Sequence, residues 1–136
     1  MVEIQISYEG KLCCSATHEP SGAKLFTDAP RDNHGEGQSF SPTDLVATAL
    51  GTCLLTIMGI VAQKHDIDLS GATVHVTKEM ATAPIRRIGK LAVQIRVPRP
   101  MPEEHQRRLR EAAMHCPVQH SLHPDVQMPV SFEFGA

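Results

Sequence analysis

Tryptophan is absent from this 136-residue sequence, and it has only one Tyr and four Phe. With so few rings the core has to be aliphatic, built from Val, Ile, Leu, Ala and Met, and aromatic platforms for stacking bases are not expected. An excess of one charge is lacking as well. Thirteen Lys and Arg face fifteen Asp and Glu, a formal net charge of −2, which leaves no electrostatic footprint for nucleic acid. No repeat and no low-complexity tract interrupts the chain. The start, Met1-Val2-Glu3-Ile4-Gln5-Ile6, has neither the basic region nor the apolar run of a secretory leader, so a cytoplasmic protein is expected. There structural disulfides are rare. The four cysteines, at 13, 14, 53 and 116, include no Cys-x-x-Cys pair. That argues against a zinc ribbon, and neither metal nor cofactor is expected.

What is present is a regular alternation of elements. Val2, Ile4, Ile6 and Tyr8 fall on one face of a first strand. Residues 11–17 and 23–27 follow as two more, separated by turns at Glu9-Gly10 and Glu19-Pro20-Ser21-Gly22. A polar loop over residues 28–40 is long for a compact domain, and loops of that length are often functional or mobile. A helix then starts with Ser41 as N-cap, Pro42 at the first helical position and Asp44 three residues after the cap, a capping box with Asp in place of Glu. It runs to about His65. Val46, Leu50, Cys53, Ile57 and Val61 form an apolar stripe, widened by Leu54, Met58 and Ala62.

Most of that helix's circumference is apolar or small, so it must be covered on nearly every side or span a membrane. A span is not expected, because Thr48, Thr52 and Thr56 interrupt the stretch and it has no aromatic belt or basic flank. A chain of this size cannot cover such a helix alone. The expectation is an intertwined homodimer in which the helix packs against the partner.

Beyond it, residues 72–80 and 88–97 alternate as a hairpin around a turn containing Pro84. A helix over 102–115 should bury Leu109, Ala112 and Ala113 and solvate Gln106, Arg107, Arg108, Arg110 and Glu111. Residues 118–122 suggest a short third helix, and Val130, Phe132 and Phe134 a last strand. The order βββ-α-ββ-α-α-β over one domain, residues 1–136, indicates an α+β fold.

The thiols have different settings. Cys13 and Cys14 are adjacent on a strand, so they point to opposite faces, one read as core and one as surface, with no catalytic part. Cys53 sits in mid-helix, where a lone Cys is commonly a small buried hydrophobe. It lies ~16 Å along the helix from Pro42, beyond the reach of the helix dipole. Cys116 precedes Pro117 and reads as the N-cap of the short helix, where unpaired N–H groups favour a thiolate. His115, His120 and His123 nearby read as solvated or cap-bonded rather than as metal ligands.

Two motifs carry a resemblance. Ser41-Pro42-Thr43-Asp44-Leu45 leading to Ala49-Leu50-Gly51-Thr52-Cys53 resembles the first signature of the OsmC/Ohr family, in its OsmC-like branch. Cys116-Pro117-Val118 with Ser121-Leu122 and a final strand resembles the second. The resemblance covers nearly the whole chain. It implies an intertwined α+β homodimer with two long central helices packed between sheets, and thiol-based reduction of organic hydroperoxides. Cys53 matches the peroxidatic cysteine and Cys116 the resolving one, with a dithiol such as a lipoylated protein as reductant.

One element departs from the family's pattern. Its peroxidases pair an N-terminal Arg with a Glu directly after the helix-start Pro. Here Thr43 follows Pro42, and Asp44 is one place further on, about 100° round the helix. The only Arg before Cys53 is Arg31, in the polar loop. Arg31 and Asp44 are therefore the candidates for the activating cation and its carboxylate, with Glu36 near Arg31 and with Arg86 and Arg87 as a second cationic source. The departure also motivates an alternative, an OsmC-like protein that binds a small ligand or senses redox state with little peroxidase turnover.

Overall fold

A computed structural model of the protein describes residues 1–135. In chain order it contains β1 (Ile4–Gly10), β2 (Cys13–His18), β3 (Lys24–Asp28), a 3-10 turn at Arg31–Asn33, α1 (Pro42–Lys64), β4 (Thr73–Ala81), β5 (Arg87–Val97), α2 (Glu103–Ala113), α3 (Pro117–Ser121) and β6 (Val130–Phe134). The fold is mixed α+β with two three-stranded sheets, in the element order expected. The chain divides into two compact units, residues 1–46 and the remainder.

In the first unit β1, β2 and β3 form an antiparallel meander. Ile6 pairs with Ala16 and Ala16 with Leu25, while Tyr8 pairs with Cys14. Alternation therefore gathers Ile4, Ile6, Tyr8, Ala16 and Leu25 on one face, and Cys13, Ser15, Phe26 and Asp28 on the other. The β1–β2 turn takes left-handed backbone at Gly10, Lys11 and Leu12 (φ 92°, 53° and 65°). The Leu12 N–H donates to the Tyr8 hydroxyl across it, at 3.2 Å.

The 28–40 loop is internally tied. Asp28 N–H donates to Phe40 O (3.1 Å), Ala29 N–H to Leu12 O (3.1 Å) and Gly37 N–H to Ala29 O (3.3 Å). The buried Asp28 carboxylate accepts the Gln38 N–H at 3.0 Å. Gly35 approaches the Ala29 carbonyl so closely that a Cβ there would overlap it.

α1 starts as the sequence indicates. Ser41 Oγ accepts the Asp44 N–H (3.1 Å), and Asp44 Oδ2 accepts the Ser41 N–H (2.9 Å). The box is complete with Asp because its shorter side chain still reaches the cap amide. By length and composition α1 could cross a membrane, a test that a buried core helix also passes.

In the second unit β5 is central, antiparallel to β4 and parallel to β6, with α2 and α3 forming the crossover. Leu91, Val93, Ile95 and Val97 of β5 are buried. Val74 and Val76 stand opposite Ile95 and Val93, so they share that face. The buried residues of α1 are Ala47, Leu50, Gly51, Leu54, Met58 and Ala62. This corrects the expected stripe, because Val46, Cys53, Ile57 and Val61 are only half-buried. Gly51 decides the rotation. An added Cβ there would stand 3.0 Å from Val76 Cγ2 and 3.3 Å from Val74 Cγ1, so the small residue lets β4 come close. Each fully buried leucine, among them Leu50, Leu54, Leu91 and Leu109, contributes ~1.5–3 kcal/mol through the area removed from water.

The opposite stripe of α1 carries Thr48, Thr52, Thr56 and Ile60, all exposed. Thr52 and Thr56 donate their hydroxyls back to Thr48 O and Thr52 O, each at 2.8 Å. α2 buries Leu109, Ala112 and Ala113 as expected. Its charged side is less solvated than expected. Gln106, Arg108 and Arg110 are half-buried, and the Arg110 guanidinium lies 5.1 Å from the Phe134 ring centroid. A long stem covers apolar surface while its head remains paired, here to Glu103 at 3.3 Å.

Candidate active site

Two thiols from distant parts of the sequence meet in the second unit. Cys53 lies on the flank of α1, two residues past the close approach at Gly51, and is half-buried. Cys116 is wholly buried at the N-cap of α3. Pro117 supplies the first helical residue, whose missing N–H costs nothing there. The Cys116 sulfur accepts the Gln119 N–H at 3.4 Å. Burial first, and then a hydrogen bond between the two thiols, push the Cys116 thiol above its ordinary value. The backbone N–H groups of Gln119 and Val118 oppose that shift. The balance corrects the expectation of a thiolate favoured by the cap: burial outweighs the backbone amides, and Cys116 is held as a thiol beside Cys53. Both thiols are free.

The histidines around Cys116 are engaged locally. His120 Nε2–H donates to Met114 O at 3.0 Å, and His123 Nδ1 accepts the Asp125 N–H at 3.0 Å. Among the described residues no cluster of three His, Cys, Asp or Glu could hold a metal ion.

The other candidates occupy defined local roles. Arg31 belongs to the 3-10 turn, with Nε donating to Glu36 O at 3.1 Å and its stem under Gly37. Asp44 serves the α1 cap, and on the same helix it stands nine residues before Cys53, ~13 Å along the axis. Arg87 Nη1 donates to Ile88 O at 3.3 Å.

Cys13 and Cys14 occupy opposite sheet faces, but both are half-buried, which corrects the core-and-surface division. They open the central strand β2, and in this three-stranded sheet neither face is fully covered there. Cys13 S–H points at Lys11 O and Asp28 Oδ1, each 3.6 Å away. Burial and the Asp28 charge raise its thiol above the ordinary range, so it is a poor nucleophile.

Sequence reasoning missed two contributors. Gly51 brings α1 onto β4 and so turns Cys53 to the flank. A glycine inside an apolar helix was the available signal for such an approach. Gln119 supplies the amide on the Cys116 sulfur, and its place three residues after an N-cap was the signal.

The geometry defines an α+β protein with one half-exposed and one buried thiol in contact. The profile of the OsmC-like protein family matches residues 35–131, and the chain belongs to that family. Similar solved structures agree. A Psychrobacter arcticus 273-4 protein, provisionally named an osmotic stress induced and detoxification response protein, is 41% identical at a TM-score of 0.91, with 98% of this chain and 96% of that one covered. An organic hydroperoxide resistance protein OsmC from Legionella pneumophila is 18% identical at a TM-score of 0.78, over 98% and 96% of the two chains. An OsmC-like protein from Mycoplasma pneumoniae is 15% identical at 0.83, over 100% and 98%. The last two speak for the fold alone. No curated protein matches the chain.

Proposed function

We propose that the protein is a thiol peroxidase that reduces organic hydroperoxides through Cys53 and Cys116. The observation that carries this reading is the contact between two free thiols, one half-exposed and one buried. Cys53 as thiolate attacks the terminal peroxide oxygen. The O–O bond breaks, the alcohol leaves with a proton, and Cys53 becomes a sulfenic acid. The Cys116 thiol condenses with it, forming the disulfide and releasing water. A dithiol, such as a lipoylated protein, then returns two electrons. No metal or further cofactor enters these steps, and two free thiols in contact suit a reducing cytoplasm.

The functional unit in this reading is a homodimer. Its support is the apolar β1–β3 face, where Ile4, Ile6, Tyr8 and Leu25 are exposed, and the exposed Thr48–Ile60 stripe of α1. The activating cation is assigned to Arg31, with Asp44 at the helix start as the acidic residue nearest the family's Glu position.

The test uses stoichiometric cumene hydroperoxide on the reduced protein, with thiol loss followed and disulfides mapped by mass spectrometry. A Cys53–Cys116 disulfide within seconds, absent in Cys53→Ser, is expected. No oxidation over many minutes removes the peroxidase and leaves the ligand-binding reading. Arg31→Ala is expected to slow oxidation at least ~10-fold, about 1.4 kcal/mol of barrier. An unchanged rate moves the role to Arg86 or Arg87.

A further inference from the structure

From the unequal access to the two sulfurs we infer that the reductant attacks the Cys53 sulfur of the oxidised pair and that Cys116 is the leaving thiol. The inference rests on the proposed disulfide between them. Thiol–disulfide exchange needs the incoming sulfur in contact with the sulfur it attacks, in line with the S–S bond, so access selects the target. Cys116 is 0% exposed, set at a helix cap under its own Gln119 amide. Cys53 is half-exposed on the flank of α1. An external thiolate reaches Cys53 without moving α3, and reaches Cys116 only by opening the cap.

The exchange balances as follows. The reductant thiolate forms a bond to Cys53 Sγ, and the Cys53–Cys116 bond breaks. Cys116 takes the electron pair as thiolate, accepts the Gln119 N–H and is reprotonated by the proton the reductant thiol gave up. The reductant's second thiol then attacks its own sulfur in the mixed disulfide. This releases Cys53 and leaves the reductant as a disulfide, two electrons poorer. The mixed disulfide therefore sits on the same cysteine that meets the peroxide, so one opening serves both half-reactions. A bound hydroperoxide and the reductant should exclude each other.

The test uses the full native chain. Diamide, rather than a peroxide, closes the disulfide. A short pulse of 2-mercaptoethanol is then quenched with acid, free thiols are alkylated, and the protein is digested with trypsin. Residues 12–24, 32–64 and 111–136 separate Cys13 with Cys14, Cys53 and Cys116 onto different peptides. The expected result is the mercaptoethanol adduct on Cys53 with Cys116 alkylated, at least ~10-fold over the reverse arrangement. Adducts shared evenly, or found mainly on Cys116, overturn the inference. Failure of diamide to join the two cysteines overturns both this inference and the peroxidase reading. A diamide disulfide that hydroperoxide does not form overturns the peroxidase reading alone, and the adduct position still decides the inference.

Discussion

The two sheets are written in the same alternating pattern and end in opposite situations. In β4–β5–β6 the apolar face is covered: Leu91 and Ile95 are 0% exposed under the helices of their unit. In β1–β2–β3 the apolar face is open, with Ile6 61% and Tyr8 67% exposed. Alternation states which face is apolar and says nothing about what covers it. An open apolar sheet face of this kind is the mark of an interaction surface. The difference also separates the thiols. Cys53 and Cys116 lie in the unit with the closed core, where burial sets Cys116 apart from Cys53. Cys13 and Cys14 stand in the open sheet, half-buried and oriented away from each other.

The largest test of this contrast is truncation in each sheet. Leu91→Ala should cost ~2–5 kcal/mol in urea denaturation, through lost transfer energy and the cavity left behind. Ile6→Ala, measured on dilute protein, should cost within ~0.5 kcal/mol. Its effect should appear instead as weaker self-association in sedimentation. Equal losses at the two positions would break the comparison. Gly51→Val comes next. The added atoms meet Val74 and Val76, so a loss of ~1–3 kcal/mol is expected from overpacking. The hydroperoxide oxidation rate of Cys53 should fall with it, since α1 must then rotate or lift. A neutral Gly51→Val would show that the closed core does not depend on that approach.

Ser41→Ala should cost ~1 kcal/mol through loss of the cap. Asp44→Ala in the same background should add less than it does alone, because the two hydrogen bonds are reciprocal. The smallest effect is a pH dependence. Burial and the Cys53 contact raise the folded-state value of Cys116 above its ordinary 9.0. Its contribution to stability is then full below pH 9 and is lost as pH rises through the folded value. Denaturation followed from pH 7 to 10.5 should show a decline that is shallower in Cys116→Ala. Cys13→Ala, in the open sheet, should flatten it less.

Several features were legible because they are local. Ser41 and Asp44 are three residues apart, and their capping box follows from side-chain reach. Cys116 before Pro117 reads as an N-cap for the same reason, and the structure bears it out at the Gln119 amide. The strands follow from period-two alternation, and Leu109, Ala112 and Ala113 from a helix with one apolar side. α1 was less legible. Its circumference is apolar nearly all round, so periodicity could not say that Leu54 and Met58 rather than Ile57 and Val61 would be buried.

The sequence by itself therefore determined the elements, their order, the two caps and the two cysteine motifs, since each depends on residues a few places apart. Tertiary structure alone decided the parallel pairing of β6 with β5 and the rotation of α1 set by Gly51 against Val76. It alone brought together Cys53 and Cys116 and buried one of them more than the other. These depend on which surfaces meet across long stretches of chain, and packing, which no local pattern encodes, selects among faces that the sequence leaves equivalent.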